Sequence, residues 1–353
     1  MTFARPHREG TAGEAGDAVT SLLGEYGSAT RRAVRHYLAS DRQAPFLDDL
    51  IADYPARGGK MMRPAICLAN ALVFGGRMED AVQCAAAVEL LHNGLLIHDD
   101  IQDDSELRRG RPTLHVLHGV PLAINAGDAM MLAALRPLLD NLRHLGPDLA
   151  LRILDVTQSM ARETAEGQAL ELGWRDTNRV DLTEADYFGM VLKKTAWMGM
   201  IWPAQLGLLI GSRGDANPDS VIRFGFFLGA AFQIEDDLRN LVPDDRYGKE
   251  LNGDLFEAKR TLMLLHARRT CTPSERLELD AFLTLRRHER TEDRVGWLAD
   301  LMLRQGSIDY ARSVAGALAG AAQYEFDLVY GSRPSSRDKE FLAGLIPWVF
   351  ERT

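Results

Sequence analysis

Residues 81–100 read AVQCAAAVELLHNGLLIHDD and run on into Ile101-Gln102-Asp103-Asp104. The stretch is rich in Ala and Leu, has no proline and is apolar on most sides, the pattern of a helix in the middle of a bundle. Glu79 and Asp80 suit the positive end of that helix's dipole, just past the breaker Gly75-Gly76. Asn93-Gly94 is a hairpin dipeptide, but no period-2 alternation flanks it, so the spacing predicts a helix over 79–103.

Outward from there, helical signals cover about 19–40, 60–74, 121–143, 148–172, 183–210, 217–241, 255–268, 274–287, 292–304 and 307–330. Breakers such as Gly110-Arg111-Pro112, Gly146-Pro147 and Pro243 separate them. There is no run of strands, no repeat and no Ser/Pro-rich linker in the middle of the chain. The expectation is a single large all-α bundle over 19–353, behind a loosely ordered tail at 1–18.

The chain has 353 residues, with 41 Lys+Arg against 50 Asp+Glu, for a net charge of −9. An acidic balance argues against nucleic acid as the partner. Cys67, Cys84 and Cys271 are widely spaced, which excludes a disulfide scaffold and fits a reducing cytoplasm. The first 18 residues carry no apolar core of a secretory signal. The longest uncharged stretch, Thr195 to Ser212, contains Pro203, Gln205 and three glycines, so a buried helix is expected rather than a membrane span.

Chemistry concentrates at two acidic helix ends. At about 100° per residue, Asp99 and Asp103 share a helix face while Asp100 sits to the side. Carboxylates so close repel one another, and an apolar helix gains no stability from them. A solvated acidic end is the plain alternative, equally weighted on this cluster alone. The second cluster, Phe232-Gln233-Ile234-Glu235-Asp236-Asp237-Leu238-Arg239-Asn240, also ends an apolar helix and repeats the i, i+4 spacing at Asp236 and Asn240. Two such ends facing each other suit hard divalent cations, magnesium first, which take one or two carboxylates and leave positions for water and phosphate. Lys60 and Arg63, Arg108-Arg109, Lys193-Lys194, Lys249 and Lys259 supply cations for phosphate in an otherwise acidic chain. Two diphosphate sites are the sharper reading.

In this order, GGKMMRP (58–64), ELLHNGLLIHDDIQDDSELRRGRP (89–112), NAGD (125–128), EGQALELGWRD (166–176), MVLKKT (190–195), FQIEDDLRN (232–240) and GKELNGDLFEAKRT (248–261) resemble the trans-isoprenyl diphosphate synthases over roughly residues 25–330. The likeness is strongest to the geranylgeranyl diphosphate synthases of eukaryotic type, whose second motif also ends in Asn. The family's common form is DDxxD in both places, so Asn240 departs from it.

The resemblance implies that Asp99 and Asp103 bind two magnesium ions and Asp236 a third, with Asp100, Asp237 and Asn240 positioning metal-bound water. It places Arg108, Lys194, Lys249 and Lys259 on the allylic diphosphate. Lys60, Arg63, His92 and Arg109 would hold isopentenyl diphosphate, with Gly59 lining that pocket. Thr195 and Gln233 would face the developing carbocation. The tail should grow back along the helix ending at Asp99, past Leu95, Gly94 and Leu91. Neither nearer position is aromatic and Gly94 leaves room, so a product longer than farnesyl, geranylgeranyl diphosphate, is expected. A homodimer is implied by the resemblance alone, and the C-terminal PWVFERT is a candidate cover for the site.

The rivals are a farnesyl or longer polyprenyl synthase and, from another class, a class I terpene synthase or a non-catalytic relative. A cyclase needs no second anion site, and an inactive relative is expected to lose an aspartate cluster. Glu89-x-x-His92 lacks the second ExxH of a di-iron bundle, and Gly58-Gly59-Lys60 is not a P-loop.

Overall fold

A computed structural model describes residues 12–39, 44–241 and 252–351. The helices are α1 (Ala12–Leu38), α2 (Asp48–Ala56), α3 (Met62–Val73), α4 (Met78–Gln102), α5 (Leu114–His118), α6 (Val120–Ala133), α7 (Leu135–His144), α8 (Pro147–Asp176), α9 (Glu184–Val191), α10 (Trp202–Gly211), α11 (Ile222–Leu241), α12 (Gly253–Phe256), α13 (Leu262–Thr270), α14 (Pro273–Thr284), α15 (Glu292–Arg304), α16 (Ser307–Tyr330) and α17 (Arg337–Glu351). A π-helical segment, Leu192–Ile201, joins α9 to α10. Among the described residues the strands are β1 (Leu107–Arg108) and β2 (Arg111–Pro112), an antiparallel pair. The all-α expectation holds.

Helix α4 lies at the centre, buried along most of its length against α1, α3, α6, α7 and α10. Its apolar surround gives the main core with α8, α11 and α17, while α9, α11 and α13 to α16 enclose a second core. The uncharged stretch that includes α10 is buried throughout α10, as expected of a core helix.

Proline chemistry accounts for most differences from the sequence expectation. The segment 121–143 is two helices, because Pro137 has no N–H to return to Ala133. Within 183–210 the chain stays helical but widens to π geometry just before Pro203, which cannot donate to Gly199. Helices α2 and α17 carry internal prolines, Pro55 and Pro347, and no helix was expected over either. The first helix begins at Ala12, seven residues earlier than the expected 19.

Candidate active site

A cavity of about 910 Å³ opens between the ends of α4 and α11. Gly59, Lys60, Arg63, Leu91, His92, Leu95, Asp99, Arg108, Arg109, Lys194, Thr195, Gln233, Asp236, Asp237 and Lys259 all line it. The sequence reading thus converges on one place. Lys249 lies outside the described residues.

At the α4 end, Asp99 Oδ1 accepts from Gln168 Nε2 at 3.1 Å and meets Lys194 Nζ at 3.3 Å. One turn on, Asp103 is nearly sealed, held by Arg175 Nη1 at 2.8 Å and Lys259 Nζ at 3.2 Å. Burial alone would push the Asp103 carboxyl up, but Lys259, Lys194 and Arg175 outweigh it and hold it below the usual range. Lys194 also pairs with Glu171, and Asp99 and Glu171 keep it charged against the pull of burial.

Asp100 departs from its expected role. Its side chain turns away from the cavity and is fully buried, accepting from Tyr54 Oη and from Arg108 Nε at 2.9 Å. The cause is its helix angle together with the hairpin that follows. Arg109 and Gly110, both at positive φ, form the tight turn between β1 and β2, and this folds Arg108 back over α4. Asp100 therefore anchors the hairpin.

At the α11 end, the π segment presents Thr195 to Gln233. Thr195 Oγ1 donates to Gln233 Oε1 at 2.7 Å, and Gln233 Nε2 donates to Asp237 Oδ1 at 2.7 Å. Tyr187 Oη completes the chain on Asp237 Oδ2 at 3.1 Å. Glycines let the helices close around this segment: a Cβ at Gly167 would overlap the Lys194 backbone, and one at Gly229 would sit 2.8 Å from the Ala196 Cβ. Asn240 is the second correction. Its Oδ1 accepts from the Asp254 N–H at 2.9 Å and its carbonyl from the Asn252 N–H at 2.8 Å. It ties down the start of α12 and does not line the cavity.

The cationic side of the same cavity is built by α3, α4 and the hairpin. Arg109 donates to the Gly58 carbonyl and to Tyr54 O at 3.1 Å; a Cβ at Gly59 would crowd its guanidinium at 2.9 Å. Glu89 lies buried beside Arg63 and Arg109 and accepts from Asn93 Nδ2 at 2.8 Å. Burial, with Arg63 and Arg109 nearby, pushes His92 well below its ordinary value, so its imidazole is neutral. Lys60 Nζ sits 5.4 Å from the Trp348 ring centroid, and Trp348 of α17 lines the cavity. The C-terminal stretch does help to enclose the site.

Leu91 and Leu95 form an apolar wall on α4, but Gly94 does not open room for a tail. A Cβ at Gly94 would lie 2.7 Å from Met131 Cγ and 3.1 Å from Gly127 O. The glycine is there because α6 packs directly on it.

Glu89, Gln168, Glu171, Arg175, Tyr187 and Trp348 were missed as site residues. EGQALELGWRD contains three of them, and their i, i+3 or i+4 spacing is the signal: Gln168, Glu171 and Arg175 share one face of α8. Among the described residues no three acidic, imidazole or thiol groups form a ready-made metal cage. Asp99 and Asp236 instead line one cavity with hard oxygens, while Asp103, one turn beyond Asp99, is covered by Arg175 and Lys259; carboxylates so placed fit magnesium, which leaves much of its shell to water and phosphate.

Residues 44–302 match the polyprenyl synthetase family. The chain is 33% identical over 296 residues to a short chain isoprenyl diphosphate synthase of Methanothermobacter thermautotrophicus, covering 84% of this chain and 87% of that one. It is 33% identical over 284 residues to a geranylgeranyl diphosphate synthase of Sulfolobus acidocaldarius, covering 80% and 83%. A polyprenyl synthase of Caulobacter crescentus, solved with calcium and isoprenyl diphosphate, superposes with a TM-score of 0.84 at 25% identity, over 98% of this chain and 99% of that one. With a family match over most of its length and relatives of this identity and coverage, the chain belongs to the polyprenyl synthetase family and is a trans-isoprenyl diphosphate synthase.

Proposed function

We propose that the protein condenses isopentenyl diphosphate head to tail with an allylic diphosphate (dimethylallyl, geranyl or farnesyl), releasing pyrophosphate, with geranylgeranyl diphosphate as the main product. The observation that carries this reading is the pairing, in one cavity, of an acidic rim with a second, cationic pocket. A cyclase acting on one diphosphate has no use for the latter.

Magnesium, as three ions held by Asp99, Asp103 and Asp236, would neutralise the leaving diphosphate as the allylic C–O bond breaks. Lys194, Lys259 and Arg108, with Lys249 by resemblance, orient the allylic diphosphate. Lys60, Arg63, Arg109 and His92 hold isopentenyl diphosphate, His92 through a ring N–H. Thr195 and Gln233, joined by a hydrogen bond in the cavity wall, would place oxygen dipoles near the allylic carbon where positive charge develops. Phe232, Met198 and Leu95 keep that carbon dry. The double bond of isopentenyl diphosphate attacks, and the proton lost from the new cation goes to the departing pyrophosphate, so no side-chain base is required.

The apolar, non-aromatic wall of Leu91 and Leu95 supports a product beyond farnesyl, and a longer polyprenyl product is the second reading. Purified protein given labelled isopentenyl diphosphate with each allylic primer, with and without magnesium, tests this. A magnesium-dependent twenty-carbon diphosphate is expected; consumption of the allylic substrate without isopentenyl diphosphate would overturn it.

We also propose a homodimer through α5 to α7. That surface exposes Leu117, Ile124, Leu132, Leu135 and Leu139, with Leu132 66% exposed, and clustered exposed leucines of this kind suit a self-complementary interface. Residues 120–144 are also the one described helical run apolar and long enough to cross a membrane, although only 39% of its most apolar window is buried. Light scattering of wild type and Leu132→Glu separates the cases: the variant should run as a monomer. All three cysteines are free and buried, which supports a cytoplasmic setting.

A further inference from the structure

We infer that Met131, on α6, is the residue that limits product length, taking the place of a bulky side chain on α4. This rests on the elongation reading above. Position 94 has no side chain, and the volume one would fill is taken by Met131, whose Cγ lies 2.7 Å from where a Gly94 Cβ would be. From there Met131 lines the cavity.

The depth of the cavity follows from helix geometry. Asp99, Gln168 and Lys194 meet at the rim. Leu91 and Met160, also in the wall, each lie eight residues from that rim on α4 and α8, about 12 Å at 1.5 Å per residue. Met198 stands one turn beyond Lys194 on the π segment. A tail growing from the rim toward Leu91 passes Met131, which lies against Gly94 between Asp99 and Leu91.

Three methionines border the path, but they are not equivalent. Met160 and Met198 are buried and locked in the core, whereas Met131 is only half-buried. An unbranched thioether with three rotatable bonds can swing aside for a tail of one length and resist the next. Gly94 supplies the slot in which it lies, and Gly127, where a Cβ would overlap the His98 ring, lets α6 approach closely enough for the reach.

The test is the product distribution of Met131→Ala and Met131→Phe, with geranyl diphosphate and labelled isopentenyl diphosphate, read by chromatography after dephosphorylation. Met131→Phe should shift the ratio of fifteen- to twenty-carbon product about tenfold toward the shorter chain. Met131→Ala should shift it by a similar factor toward twenty-five carbons and beyond, a gain that unfolding cannot produce. If wild type elongates geranyl diphosphate and Met131→Ala keeps the wild-type distribution, the inference falls while the elongation reading stands. If wild type yields no elongated product, the elongation reading itself fails. Shortening by Leu95→Phe with no change in either Met131 variant would put the limit back on α4.

Discussion

At the end of α4, Asp99 and Asp103 are met by cations: Lys194, Arg175 and Lys259 all lie within 3.3 Å. At the end of α11, Asp237 is met by neutral donors, Gln233 and Tyr187, and Asn240 carries no charge at all. Burial and the nearby Asp254 push the Asp237 carboxyl well above the usual range. Asp99 and Asp103 are therefore neutralised by cations within the protein, and Asp237 is held by dipoles. The first end is prepared to exchange its lysines for divalent charge.

The largest expected effect belongs to the first end. Asp99→Ala should lower kcat/KM by about 10³-fold or more with the fold intact, whereas Asp237→Ala should cost about tenfold to 10²-fold. Equal losses in steady-state assays would break the contrast. Lys194→Ala comes next, at about 10²-fold, because Asp99 and Glu171 lose their common cation and the leaving diphosphate loses a contact. That loss should appear in kcat and in the KM for the allylic substrate, with the KM for isopentenyl diphosphate unmoved.

Much of this was legible in the sequence because it rests on local rules. The face shared by Asp99 and Asp103, the buried α4 and the all-α class follow from helix period and breakers. What was hidden depends on tertiary approach. Asp100 has the residue type of a ligand, yet the turn at Arg109-Gly110 brings Arg108 onto it. Gly94 looks like open space until α6 is seen against it. Asn240 looks like a weakened ligand, and its use as a cap for the Asp254 N–H has no signature in spacing. The π segment is silent in sequence apart from Pro203 and the glycines at 167 and 229, whose partners lie on other helices.

The two ends are linked through Lys259, which lies 3.2 Å from both Asp103 and Asp254 and 2.7 Å from Glu257. Three carboxylates share this lysine, and Arg175 also pairs with Asp103. Burial raises Glu257 to about 7, only partly opposed by Lys259. A carboxyl with a raised folded value stabilises the fold while protonated, and that contribution is lost as pH climbs from about 4.5 to 7. Glu257→Gln keeps the neutral form at every pH. In metal-free buffer its denaturation free energy should match wild type at the acid limit and exceed it by about 3 kcal/mol at pH 8. A gap that does not widen with pH would show that Lys259 fully compensates the third carboxylate.

The smallest effect sharpens the comparison most. If Asn240 acted as a weakened metal ligand, Asn240→Asp would restore the family's common carboxylate and raise turnover or magnesium affinity. The structure gives its oxygen another task, accepting from the Asp254 N–H beneath α12. A carboxyl oxygen can accept the same N–H, so Asn240→Asp should leave kcat/KM within about threefold and the magnesium midpoint unchanged, at some cost in stability from a further buried acid beside Asp254. Asn240→Leu removes the acceptor and leaves a buried N–H without it, costing about 1–3 kcal/mol of stability. Because α12 leads directly to Glu257 and Lys259, that loss should be accompanied by weaker allylic substrate binding. A magnesium titration shifted tenfold by Asn240→Asp would instead return the residue to the metal site and make the two helix ends alike.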